Sequence, residues 1–327
     1  MHISTFLAAL FLATGVVGAP TKVQRGSTVS RTSSPSGCLS VGSSGTYSTI
    51  GDALDALDSS ASSACIFVYS GTYKEQLKID FAGQLTLYGE TTDSGSYKDN
   101  TVTITHTISS PDAGSLDLSA TVNVVSNGFK MYNINVANGY GKGAQAVALV
   151  GNADQLGFYG CQFSGYQDTL YAKAGTQYYS NCMIEGAVDY IFGDASAWFG
   201  ECDIVSNGPG AITANSREES TDSAWYAIDN CNVKAASGVS LDGDVYLGRP
   251  WRVLARVIYQ DSELGSLINS AGWTTMADGA TPLYYEYGNT GDGSSTSSRK
   301  YETSISAGVT KTTVLGSGYA DWIDGSY

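Results

Sequence analysis

Residues 158–205 read FYGCQFSGYQDTLYAKAGTQYYSNCMIEGAVDYIFGDASAWFGECDIV. One short pattern occurs three times in this stretch: a bulky apolar residue, two variable residues, a small or polar residue, one variable residue and an apolar residue. Its instances are Phe158–Cys161–Phe163, Tyr179–Cys182–Ile184 and Phe199–Cys202–Ile204. Working outward, Phe129–Tyr132–Ile134 precedes them, and Ile228–Cys231–Val233 and Tyr259–Ser262–Leu264 follow. The spacings are 29, 21, 20, 29 and 31 residues. Each instance is short and strand-like, and Gly, Asn and Ser punctuate the intervals. A period of this size fits one coil of a parallel β-helix, with loops absorbing the extra residues. The fold class expected is therefore all-β, a parallel β-helix solenoid.

Successive coils of such a solenoid lie about 4.8 Å apart, so equivalent residues form ladders. Cys161, Cys182, Cys202 and Cys231 fall on one ladder. The spacing suggests disulfides Cys161–Cys182 and Cys202–Cys231, which leaves Cys38–Cys65 as an N-terminal pair. The alternative is a ladder of buried free thiols. A solenoid end needs a cap. Residues 49–57 place Ile50, Ala53, Leu54 and Leu57 at helical spacing, which predicts a short capping helix followed by a strand at 66–69. The Gly/Ser-rich tail after residue 280 is expected to lie across the outside of the coils. No linker divides residues 38–327, which read as a single domain.

Composition narrows the function. The 327 residues carry 17 basic and 31 acidic side chains, a net charge of −14. That balance disfavours nucleic acid and anionic membranes as partners. Tyr outnumbers Phe 22 to 9, a ring content with polar tips that suits a carbohydrate-facing surface. Of the two histidines, His2 lies in a leader, which leaves His106. A His-rich zinc site is excluded, and the chain has no G-x-S-x-G elbow for a Ser–His–Asp hydrolase. Hydrolytic chemistry here must rest on carboxylates. Residues 1–19 resemble a signal peptide, with an apolar run at 6–17 and small residues ending at Ala19, so the protein is expected to be secreted to the extracellular space. Residues 20–37 are polar and expected to be disordered or processed. No N-x-[ST] sequon occurs.

The repeat also places the chemistry. Asp168 lies seven residues after Cys161, and Asp189 seven after Cys182. If the cysteines stack, so do the aspartates, within GYQDTLY (165–171) and GAVDYIFG (186–193). Two stacked carboxylates cannot both ionise cheaply, so one pKa rises and the other falls. That pairs a proton donor with a nucleophile or base. Arg249 in LGRPW (247–251) is the candidate cation that decides which stays charged.

Five blocks in order, GTYKE (71–75), QAVAL (145–149), GYQDTLY, GAVDYIFG and LGRPW, make the chain resemble the pectin methylesterases, and among them a secreted fungal-type enzyme. The resemblance runs from about residue 40 onward and departs at Ala144, where many relatives carry His. It implies a right-handed helix and hydrolysis of the C6 methyl esters of homogalacturonan, giving pectate and methanol. It also implies catalytic roles: Asp189 as nucleophile, Asp168 as acid and then base, Gln145 and Gln167 as oxyanion donors, and Arg249 as the residue that orients Asp189. Trp251, Tyr171 and Phe192 match substrate-binding aromatic positions. No metal and no other cofactor is implied, the partner is a methylated polysaccharide, and a monomer is expected. Glu75 and His106 are read as structural. The competing readings are a β-helix hydrolase or lyase acting on the pectin backbone, and a non-catalytic sugar-binding solenoid.

Overall fold

Six successive coils turn at a residue with left-handed backbone. Asn133, Gly160, Asn181, Glu201, Asn230 and Asp261 have φ between +48° and +58°, a region that Gly and Asn enter at least cost. Each lies two residues beyond a bulky member of one strand ladder and directs the chain onto the next sheet. The computed structural model describes residues 29–327. Among them the strands form three sheets of ten, seven and eight members, and every strand pairing is parallel. A core runs along the axis. Phe158, Tyr179 and Phe199 stack with ring centroids 4.8 and 4.7 Å apart.

The register agrees with the sequence pattern from Phe158 onward: Phe158, Tyr179, Phe199, Ile228 and Tyr259 are successive partners. The first repeat does not. Met131, and not Phe129, pairs with Phe158. A two-residue slip leaves the same face inward, so hydrophobicity alone does not reveal it. Phe129 is itself buried and meets Phe158 edge-on.

The expected cap is a helix at Ile50–Asp55, with Thr49 as N-cap. Ile50 and Ala53 enter the core, and Leu54 and Leu57 pack against it. Glu75 of the GTYKE block accepts hydrogen bonds from the backbone N–H groups of Ile50 (3.0 Å) and Gly51 (2.8 Å). A carboxylate at a helix N-terminus satisfies orphan donors, so Glu75 is structural.

Three expectations need correction. The cysteines of the ladder are free thiols, all buried, and the one disulfide among the described residues is Cys38–Cys65. Each ladder thiol sits instead against backbone carbonyls of the preceding coil, Cys161 Sγ at Met131, Cys182 Sγ at Phe158, Cys202 Sγ at Tyr179 and Cys231 Sγ at Phe199. Cys38 immediately precedes the strand Leu39–Val41, and Cys65 lies within Ser63–Val68, the strand that pairs with it. The tail does not lie wholly outside: Leu283–Tyr287 adds the tenth strand to the largest sheet. Beyond it, Val314, Leu315 and Trp322 cover an outer stack that includes Tyr132, Tyr159, Tyr178 and Trp198. Tyr132, Tyr159 and Tyr178 therefore sit beneath the chain's own tail, and Tyr179, Tyr190, Tyr226, Tyr259 and Tyr284 lie in the core, not against sugar. The leader at 1–19 and most of the polar segment lie outside the described residues. Arg31 belongs to the folded unit: it pairs with Thr91 and stands over the Tyr88 ring at 4.7 Å.

Candidate active site

Asp168 and Asp189 both adopt left-handed backbone, with φ of +63° and +50°. Non-glycine residues there are uncommon, and such strain concentrates at functional sites. The two following strands pair Leu170 with Ile191 and Tyr171 with Phe192, which places the aspartates in register on adjacent coils. The Asp168 N–H donates to the Val188 carbonyl at 3.0 Å, and the Asp189 N–H to the Ala211 carbonyl at 2.7 Å. Their backbones are thus tied to the sheet while their side chains leave it on its outer face.

The carboxyls share register but not environment. Asp189 takes a fork from Arg249: Nε donates to Oδ1 at 2.8 Å and Nη2 to Oδ2 at 2.7 Å. Arg249 reaches Asp189 from two coils above, and its N–H donates to the Thr213 carbonyl of the coil between. The bidentate geometry holds the Asp189 carboxyl in place against a cation, and the bond to Asp189 raises the Arg249 pKa further. Asp168 has no such fork. Burial first, and then the Asp189 charge, push its pKa up to about 8, against the lowering effect of Arg249. Of the two carboxyls, Asp168 is the one whose surroundings favour keeping a proton.

These groups line a cleft of about 310 Å³ together with Gln145, Gln167, Phe192 and Trp251. Gln145 lies one coil before Gln167, whose carbonyl accepts the Ala146 N–H. Both side-chain amides are partly exposed and bond to no other described residue, so their donors are open to a substrate. Phe192 is 2% exposed and stacks on Tyr171 at 4.3 Å. Trp251 tilts over both, at 5.8 Å from Phe192 and 6.2 Å from Tyr171. Trp251 is partly exposed at the cleft with the Arg252 guanidinium 5.9 Å over its ring, Phe192 is buried beside it, and Tyr171 stands behind the lining. His106 ends a strand of the eight-stranded sheet, away from the cleft.

The sequence reading missed Leu116, Ala214 and Met276, which also line the cleft. Leu116 opens a one-turn helix, Leu116–Ser119, inside the long insertion after His106. Only that insertion's length hinted at it. Met276 lies in a loop and is 43% exposed. A lone exposed Met is a weak sequence signal.

The family model for Pectinesterase matches residues 38–326. The probable pectinesterase A of Aspergillus niger is 78% identical over 328 residues, covering 100% of both chains. Pectinesterase A of Emericella nidulans is 67% identical over 327 residues, also covering 100% of both. The crystal structure of the Aspergillus niger pectin methylesterase superposes with a TM-score of 0.91 at 83% identity, over 91% of this chain and 100% of that one. The carrot enzyme gives 0.80 at 28% identity, over 88% and 97%. The shared fold is a right-handed parallel β-helix with a demethylating site on its surface, and this chain is a member of the pectinesterase family that removes the methyl esters of pectin.

Proposed function

We propose that demethylation proceeds through a covalent acyl-enzyme on Asp189. The observation that carries this reading is the Arg249 fork on Asp189 beside a carboxyl with a pKa of about 8. An Asp189 oxygen attacks C6 of a methylated galacturonate. The tetrahedral oxyanion receives N–H groups from Gln145 and Gln167, neutral donors that do not titrate. The C6–methoxy bond breaks, and the Asp168 proton passes to the departing oxygen to give methanol. The mixed anhydride on Asp189 is then attacked at C6 by water, whose proton returns to Asp168. Asp189 leaves as a carboxylate, and the product leaves as a carboxylic acid that gives its remaining proton to solvent. Nucleophile, acid, base and oxyanion donors are all side chains, so the scheme calls on no metal or other cofactor. Trp251 offers its face to the sugar ring, with Phe192 and Tyr171 holding it in place.

Family membership sets aside a backbone-cleaving enzyme and a non-catalytic solenoid. The leader supports secretion and action outside the cell. No described helix is long and apolar enough to cross a membrane. Exchange of labelled methanol tests the intermediate. Deuterated methanol should enter unreacted ester faster than it esterifies pectate, because it intercepts the acyl-enzyme. Equal rates would remove the covalent step and leave Asp189 as a base.

A further inference from the structure

The end of the solenoid holds a buried ion pair that the chemistry above does not use. Arg299 donates from Nε to Glu286 Oε1 at 2.7 Å and from Nη2 to Oε2 at 2.9 Å. The two side chains are 1% and 2% exposed. A buried pair of this kind costs desolvation that an apolar pair of the same shape avoids, so it is weak evidence for stability and directs attention to what it holds in place.

It holds Trp273. The indole Nε1–H donates to the same Glu286 Oε1 at 3.1 Å, and the ring is fully buried and stacks on Tyr284 at 4.0 Å. Trp273 bridges to Gly248 as a parallel neighbour. A Cβ on Gly248 would lie 3.1 Å from Trp273 Cζ3 and 2.1 Å from Thr213 Oγ1, so the backbone is clamped between the two. The same short segment is tied on both flanks. The Leu247 N–H donates to the Gly272 carbonyl at 2.7 Å, and the Thr274 N–H to the Gly248 carbonyl at 3.1 Å. Thr213 Oγ1 and Tyr259 Oη both donate to the Leu247 carbonyl, at 2.9 and 2.8 Å. Gly272 in turn lies against Arg299: a Cβ there would meet the Arg299 Cδ at 2.3 Å. The next residue after Gly248 is Arg249, whose fork holds Asp189.

We infer that Glu286, Arg299 and Trp273 are positioning residues for ester hydrolysis: the buried ion pair fixes Trp273 behind Gly248 and thereby sets the backbone from which Arg249 reaches Asp189. The inference rests on the roles given to Arg249 and Asp189. A fork made of two bonds of 2.7–2.8 Å has little tolerance for displacement of its own backbone. Misplacing a catalytic group by about 1 Å is enough to lower turnover by about a hundredfold. Trp251 lies on the same segment but also rests against Phe192 and Tyr171, so the sugar contact has a second support that the Arg249 fork lacks, and kcat should fall more than KM rises.

Trp273→Phe tests it. The smaller ring keeps the stack on Tyr284 but loses both Cζ3 and the Nε1–H. Phe199→Leu, in the interior stack of the largest sheet, is the control for loss of packing. Trp273→Phe should lower kcat by about tenfold or more while KM for methylated pectin stays within about twofold. Phe199→Leu should lower the melting temperature without lowering kcat per folded molecule. Glu286→Gln keeps an acceptor for the indole but removes the charge that orders Arg299, and it should show the same split if Trp273→Phe does not fold. A folded Trp273→Phe or Glu286→Gln enzyme with kcat within about twofold of the parent overturns the inference, as does an equal fall in the control. Arg249→Lys, measured in parallel, separates the two levels. Unchanged kcat in Arg249→Lys sinks the reading of the site itself, whereas a loss there with none in Trp273→Phe sinks the positioning alone.

Discussion

Two ladders share the same pair of coils seven residues apart: Cys161 over Cys182, and Asp168 over Asp189. Both stack like on like at the strand spacing. The thiols stand in a buried corner. Cys161 N–H donates to Cys182 Sγ at 3.4 Å, and Cys182 Sγ–H is within reach of the Phe158 carbonyl at 3.4 Å. Neutral groups repeat without penalty, and burial pushes the Cys182 pKa well up, which keeps it neutral. The aspartates stand on an outer face where charge is at stake. Stacking two of them forces an asymmetry, and Arg249 decides its direction by joining only one. Repetition in a solenoid is inert for an uncharged rung and becomes chemistry when the rung can ionise and a single cation breaks the symmetry.

The largest effect is expected where that symmetry is restored in the wrong sense. Asp189→Asn keeps the shape but offers Arg249 no charge and C6 no nucleophile. Turnover should fall by about a thousandfold or more, with circular dichroism and pectin binding retained. A purified variant that keeps more than a few per cent of activity would disprove the role of Asp189. Arg249→Lys is the subtler break: it keeps the charge but gives up the planar fork. A fall in kcat of about a hundredfold is expected, and near-normal kcat would demote Arg249 to a structural residue.

How much of this contrast was legible beforehand follows from what a spacing encodes. The offset of 21 residues between the cysteines recurs between the aspartates, and it fixed both ladders and the site. The same offset does not encode Cβ separation, so it could not tell a disulfide from a pair of thiols. Nor does periodicity distinguish Phe129 from Met131, because both face inward. Leu116 and Met276 reach the cleft from insertions with no repeat to index them. The tyrosines under the tail looked solvent-facing because the sequence does not show which outer face the tail will cover. Trp273 carried no signal of its own, because its importance lies in the contact with Gly248.

The asymmetry of the aspartates has a cost in stability, and its sign can be worked out. The folded pKa of Asp168, about 8, lies above its ordinary 3.8. The folded state therefore holds a proton that the unfolded chain has lost. Stability from this group is fully present below pH 3.8 and is lost as pH rises through 8. Asp168→Asn removes the dependence. At pH 7 the variant should be more stable than the parent by on the order of 1–4 kcal/mol, and at pH 3 the gap should close. Chemical denaturation at the two pH values measures it. A variant less stable at pH 7, or a gap that persists at pH 3, would contradict the raised pKa. The parent's kcat should fall as pH passes above about 8, where the proton for methanol is lost.

The smallest effect belongs to the inert ladder. Ser262 already occupies its next rung: it accepts the Cys231 N–H at 3.0 Å and donates to the Gln260 carbonyl at 2.9 Å. A hydroxyl therefore fits the ladder's hydrogen-bond pattern. Cys182→Ser should leave kcat unchanged and shift stability by about 1 kcal/mol or less. The thiols themselves give the sharper measurement. A thiol-specific reagent should label none of the four cysteines in the native enzyme and all four, Cys161, Cys182, Cys202 and Cys231, once it is unfolded without reductant. Cys38 and Cys65 should label only after reduction. Fewer than four thiols released on unfolding would mean that rungs of the ladder are cross-linked, and would erase the contrast between an uncharged ladder that merely repeats and a charged one that reacts.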